Sequence, residues 1–190
     1  MNPIEIAGFV TGALSVWLAV RQSPWNWPMG VANAVSFLIL FWQARLYGDM
    51  ALQVLFIAIC FVGWYRWLYG GEGHSTLHVS RITVRSALFY AVAGAAATAL
   101  FTPYLRSVGD AAPFRDALTT VLSVEAQYLM TRKVIEHWLM WMIADVVYVW
   151  VYAERGLYLT SLLYIIFFAM CVAGWFEWLR DRSGQAAATA

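Results

Sequence analysis

Five stretches of this chain, 6–20, 22–44, 50–65, 86–105 and 156–176, contain no Asp, Glu, Lys or Arg. A helix needs about 20 mostly apolar residues to cross the hydrocarbon of a bilayer, so runs of this kind constrain the fold before anything else does. Two more, 117–131 and 137–153, are each interrupted by one acid, Glu125 and Asp145. The pattern predicts an all-α membrane protein with seven transmembrane helices, at 5–21, 26–44, 49–69, 84–103, 115–131, 137–153 and 157–179. Composition agrees: 62% of residues are hydrophobic and 12% charged, against roughly 25% charged in a soluble domain. Aromatics reach 17%, with 11 Trp, which suits interfacial belts and an aromatic-lined cavity. A soluble enzyme and a disordered chain are excluded, and a net charge of +1 offers no field for a nucleic acid. The lipid bilayer is the expected surrounding.

Residues 1–5 lack a positive segment, so the first apolar run reads as a span and not as a cleaved signal. Cys60 and Cys171 each lie in an apolar run and read as small buried hydrophobes. Segments 70–80 and 105–113 read as loops and 185–190 as a disordered tail. Arg45, Arg106, Arg115 and Arg155 fall on one side of the membrane. Arg21, Arg66, Arg81, Arg85, Arg132, Lys133, Arg180 and Arg182 fall on the other. The positive-inside bias puts the second side in the cytoplasm, with the N-terminus outside and the C-terminus inside. Glu136 follows Arg132 by four residues and is expected to pair with it at the interface.

The chain repeats itself. Gly63-Trp64-Tyr65-Arg66-Trp67-Leu68 returns as Gly174-Trp175-Phe176-Glu177-Trp178-Leu179, an offset of 111. The same offset pairs Arg21 with Arg132, Trp27 with Trp138, Leu46-Tyr47 with Leu157-Tyr158, Phe56 with Phe167 and Cys60 with Cys171. Helices one to three therefore match helices five to seven, in a 3+1+3 arrangement. Its units are 5–69, a linker with the fourth helix at 70–114, 115–179 and a tail at 180–190. The shift crosses an even number of helices, so both triplets point the same way, as in parallel-repeat transporters with a midplane site between the halves. A duplicated scaffold without a pathway stays open as an alternative.

A polar group inside hydrocarbon costs free energy unless it is paired or faces water. Asn33, Gln53, Glu125, Gln127, Asp145, Tyr148, Thr160 and Tyr164 lie within the repeats, whereas the fourth helix is mostly Ala. Trp138, Trp141, Asp145 and Tyr148 follow steps of three, four and three, which is one helical face. An intramembrane Asp costs on the order of 3 kcal/mol, and a cationic aromatic ligand stacked on the indoles would offset it. A packed aromatic seam with Asp145 bonded internally is the plainer alternative. Asn33 lies one residue from Ala34, the repeat partner of Asp145, and Gln53 is the partner of Tyr164. Both amides suit either a ligand or interhelical bonds. Glu125 is a further cation-attracting or proton-carrying candidate. Gly12, Gly30, Gly63 and Gly174 are candidate points of close packing or bending. No P-loop, H-E-x-x-H or nucleophile triad is present, and His74 and His78 lie in a Gly-rich loop. Neither a metal nor a cofactor is expected. A membrane-embedded enzyme would need Glu125 and Asp145 as its only acid pair.

The first half reads Trp25-Asn26-Trp27-Pro28-Met29-Gly30, then Asn33, Leu46-Tyr47-Gly48-Asp49, Leu52-Gln53 and Gly63-Trp64-Tyr65-Arg66-Trp67. The second reads Asp116-Ala117-Leu118-Thr119-Thr120-Val121-Leu122-Ser123, Arg132-Lys133, Glu136-His137-Trp138, Trp141, Asp145, Gly156-Leu157-Tyr158 and Tyr164. Over 9–178 this resembles the PnuC family of bacterial vitamin transporters. The resemblance implies a seven-helix 3+1+3 fold related to the SWEET sugar transporters. It also implies uptake of nicotinamide riboside across the inner membrane by facilitated diffusion, with trapping by a cytoplasmic kinase. Similar proteins carry thiamine or riboflavin, and trimers occur among them, so a homo-oligomer is allowed. Two residues depart from the family pattern: His137 stands where Asn is frequent, and Glu125 where an apolar residue is usual. The small-molecule substrate implied is a cationic heteroaromatic, which Trp138, Trp141 and Asp145 suit. Asn33, Gln53 and Tyr164 suit the carboxamide and ribose of nicotinamide riboside, and Glu125 the aminopyrimidine of thiamine. Riboflavin ranks third.

Overall fold

The computed structural model describes residues 3–43, 45, 47–110, 112–154, 156 and 158–188. Leu46, Arg155 and Leu157, and the side chains of Tyr47, Thr160 and 185–188, lie outside the described residues. Seven α-helices follow one another: α1 (Pro3–Val20), α2 (Asn26–Gln43), α3 (Tyr47–Tyr69), α4 (Val84–Ser107), α5 (Pro113–Thr131), α6 (His137–Glu154) and α7 (Tyr158–Ala188). Thr83 caps α4 by accepting from Ser86 N at 3.2 Å, and Pro113 opens α5 where its missing N–H costs nothing. Three helices are long and apolar enough to cross a membrane: Asp49–Tyr69, Val84–Ser107 and Ser161–Gly184. The others are shorter or more polar. The apolar side chains that α6 turns outward, Leu139, Ile143, Val146 and Trp150, follow steps of four, three and four.

Two ends differ from the sequence expectation. α4 runs one turn beyond Pro103, because a proline near a helix C-terminus forfeits only one bond. α7 continues through 185–188, where a tail was expected, since Gln and Ala are strong helix formers.

α1 packs on α2 and α2 on α3; α5 packs on α6 and α6 on α7. The two sets meet through α1 on α7 and α3 on α5, while α4 lies against α5 with most of its surface outward. Both sets turn their corners in the same way. Gln22 and Lys133, 111 residues apart, take left-handed φ of 53° and 49°, and Arg45 and Gly156 take 59° and 71°. Side chains other than Gly pay about 1 kcal/mol for this conformation. The matching bonds Gln22 N→Ala19 O at 2.9 Å and Lys133 N→Met130 O at 3.0 Å hold both first corners. Segment 70–83 folds back over the α5–α6 corner. Ser80 N donates to Lys133 O and Ile135 N to Ser80 O, at 2.9 and 3.0 Å, and Val79 is buried. The loop expected at 70–80 is thus pinned to the second set.

Candidate functional site

At the end of the bundle that carries most of the basic residues lies a lattice of four indoles. Trp27, Trp67, Trp138 and Trp178 are at most 2% exposed. Trp27 meets Trp67 edge-on at 5.3 Å, Trp138 meets Trp178 edge-on at 5.7 Å, and Trp67 meets Trp178 at 5.7 Å across the halves. Glycine makes the first two contacts possible. A Cβ on Gly63 would run into the Trp27 ring, and one on Gly174 into the Trp138 ring. The halves then exchange hydrogen bonds: Trp67 Nε1 donates to Met130 O at 2.9 Å and Trp178 Nε1 to Ala19 O at 3.0 Å. Met130 and Ala19 are themselves repeat partners, so the pair of bonds obeys the same two-fold relation as the sequence.

Polar atoms sit inside this lattice. Asn26 Nδ2 donates to Ser23 O at 2.8 Å, and its repeat partner His137 contacts Val134 O through Nδ1 at 2.7 Å. Among the described residues, Asn26 Oδ1, His137 Nε2, Trp27 Nε1 and Trp138 Nε1 find no hydrogen-bond partner and are buried. These buried polar atoms lie next to aromatic faces, with the His137 ring 4.4 Å from that of Trp138. Lys133 Nζ lies 4.8 Å from the Trp67 ring centre. Burial holds its ammonium below the ordinary lysine range, an effect that Asp181 partly opposes.

One turn deeper, Cys60 touches the Gly30 position and accepts from Gln127 Nε2 at 3.6 Å, joining α3 to α5. Its repeat partner Cys171 donates to Asp145 Oδ2 at 3.5 Å. Asp145 is 5% exposed, and among the described residues no Lys, Arg or His pairs with it. Beyond Asp145, Tyr148, Tyr152 and Tyr164 stack, with Tyr148 and Tyr164 at 4.7 Å and Tyr152 and Tyr164 at 5.4 Å. Trp141 is half-buried against the lattice. Thus Trp138, Trp141, Asp145, Tyr148 and Tyr164 all turn inward within the second set, with Gln127 at the seam between sets.

Three other candidates are located differently. Asn33 Nδ2 donates to Gly8 O at 2.6 Å and abuts Gly12, so it joins α2 to α1. Gln53 is half-buried on α3. Glu125 lies against Gly94 of α4. Glu136 does not pair with Arg132. It binds Arg81 Nε at 2.8 Å and Ile82 N at 3.1 Å, while Arg132 lies over the Tyr128 ring. The folded-back segment brings Arg81 closer than a helical step brings Arg132. The sequence reading used Trp67 and Trp178 only as markers of the repeat, and it overlooked Tyr152. The signal for the indoles was present in the matched Gly and Trp spacings, which only a packing argument converts into contact.

Apolar spans, a duplicated bundle and an inward-facing polar and aromatic interior together define a membrane transporter. Residues 2–180 match the family model described as nicotinamide mononucleotide transporter. The chain belongs to that family, and it is a transporter and not an enzyme. It is 31% identical to the nicotinamide riboside transporter PnuC of Escherichia coli (strain K12), over 96% of this chain and 89% of that one. It is 29% identical to the riboflavin/roseoflavin transporter RibM of Streptomyces davaonensis, over 94% and 85%. A crystal structure of the vitamin B3 transporter PnuC superposes with a TM-score of 0.73 at 24% identity, covering 94% of this chain and 83% of that one, and shares the fold.

Proposed function

We propose that this protein takes up nicotinamide riboside across the bacterial inner membrane by alternating access. The helices α1–α3 and α5–α7, units 5–69 and 115–179, are the two moving parts, and α4 within 70–114 ties them together. The N-terminus lies outside and the C-terminus in the cytoplasm, so the indole lattice closes the cytoplasmic end. No ion gradient is consumed, and phosphorylation by a cytoplasmic kinase supplies direction. The observation that carries this reading is Asp145: a buried carboxylate one turn from Trp141, met by a thiol and, among the described residues, by no basic side chain. A cationic ring supplies the missing charge, and the indole and tyrosine faces supply stacking. The amides Asn33, Gln53 and Gln127 contact the carboxamide and ribose as the halves move. Glu125 serves at the α4–α5 seam.

Binding calorimetry on the purified protein with nicotinamide riboside, thiamine and riboflavin in parallel tests the substrate. Tighter binding of thiamine or riboflavin would reassign it. Sealed vesicles test the class: labelled nicotinamide riboside should emerge unchanged inside.

A further inference from the structure

At the same end of the bundle as the indole lattice, a cavity of about 380 Å³ opens between Arg66, Gly70, Leu77 and Arg132. Arg66 Nη1 reaches Thr131 Oγ1 at 3.5 Å, which holds it beside the residue preceding Arg132. Arg132 lies over the Tyr128 ring at 5.1 Å. Among the described residues neither guanidinium is paired with a carboxylate. Two unpaired guanidiniums on one cavity repel each other and attract an anion, and their planar forks match a phosphate group.

The repeat supplies an internal control. Arg132 corresponds to Arg21, and Tyr128 to Trp17, over which Arg21 lies at 5.2 Å. Arg66 and Gly70, however, correspond to Glu177 and Asp181. The equivalent junction, where Arg21 follows α1 and Glu177 and Asp181 lie on α7, therefore carries one arginine and two acids, and of the two junctions the one between α3 and α5 is left doubly cationic. Arg66 lies in the last turn of α3, where a basic side chain suits the helix dipole, but α7 carries Glu177 at the same place, so the dipole alone does not require an arginine there.

We propose that Arg66 and Arg132 form a phosphate-binding site, filled either by an anionic phospholipid headgroup or by a soluble phosphate monoester. The test uses the full-length protein in neutral detergent. One arm titrates inorganic phosphate and glycerol 3-phosphate against tryptophan fluorescence. The other measures phosphatidylglycerol and phosphatidylcholine adducts by native mass spectrometry. Arg66→Glu, which copies the repeat partner, and Arg132→Gln should each weaken the bound probe at least about tenfold, the scale of one charge-assisted hydrogen bond, while Arg21→Gln leaves it unchanged. Saturation by the free phosphates assigns a soluble ligand, and retention of phosphatidylglycerol alone assigns the lipid. Arg66→Lys keeps the charge and should fall between wild type and Arg66→Glu, which separates lost charge from lost fold. The proposal is overturned if the wild type holds no probe in either arm. Equal loss in Arg21→Gln, or Arg66→Lys no better than Arg66→Glu, overturns it as well.

Discussion

Replacing Trp67 with Phe removes the N–H that reaches Met130 O across the two halves. The carbonyl is not stranded, because Lys133 N still donates to it at 3.0 Å. The lost bond therefore costs about 1 kcal/mol and not the penalty of an orphaned buried acceptor. Contraction of a fully buried ring adds on the order of 1 kcal/mol through the void it leaves. If opening the basic end separates Trp67 from Met130, the closed state loses about 2 kcal/mol relative to the open one, a population shift of roughly 30-fold. Cys60, buried one turn deeper, reports on this directly. Its labelling by a water-soluble maleimide in proteoliposomes should accelerate by about fivefold if only the hydrogen bond counts, and by about 30-fold if the void counts too. Two-fold pairing makes the prediction sharper. Trp178→Phe loses the equivalent bond to Ala19 O, which keeps Gln22 N at 2.9 Å, so its effect should match within a factor of a few. A folded Trp67→Phe protein whose cysteines react at the wild-type rate would refute the gate, and so would a response confined to one of the two variants.

Asp145→Asn should weaken binding of nicotinamide riboside more than binding of an uncharged analogue, read by calorimetry; equal losses would remove the charge argument. Gly63→Ala and Gly174→Ala each drive a methyl into an indole ring and should destabilise the protein by about 1–3 kcal/mol, seen as a lower unfolding temperature in detergent; unchanged melting of either would mean the ring moves freely. Lys133, depressed by burial, is deprotonated more easily folded than unfolded. The unfolded chain then binds more protons as pH rises through the folded value, so stability increases over that window toward the ordinary lysine range. Lys133→Met should abolish this alkaline gain in melting temperature, and an identical pH profile in both proteins would count against it.

How much of this was legible beforehand depends on the residue. The helices were, because charge-free runs and the 111-residue offset are one-dimensional signals. Gly63 and Gly174 were also legible as points of close packing, since a chain that repeats Gly and Trp at fixed spacing repeats their contact. Partner choice was not. Asn33 faces α1 because Gly12 leaves room there and Gly8 O accepts from it, Glu125 faces α4 because Gly94 leaves room, and Glu136 is taken by Arg81 from a segment 55 residues away in sequence. Helical periodicity gives the face a side chain occupies, but not which neighbour is thin enough to admit it. The aromatic face of α6 was read as a ligand wall. The structure shows its first member, Trp138, packed inside the lattice, with Asp145 and the tyrosines beyond it.

The two halves agree in what holds them and differ in what they carry. Corner conformations, Trp on Gly contacts and exchanged indole bonds recur at the same offset. The polar groups do not: Ala34 stands for Asp145, Phe37 for Tyr148, Gln53 for Tyr164 and Gly30 for Trp141. In the proposed alternating-access cycle, symmetric packing means that each half loses equivalent contacts when the halves part. A symmetric polar lining would let a substrate bind equally well in either of two opposed orientations. If Asp145 and the stacked tyrosines of α6 and α7 hold the charged ring as proposed, the ring has one favourable side. On that reading, duplication supplies the matched contacts between the halves, and divergence of a few inward positions supplies the orientation.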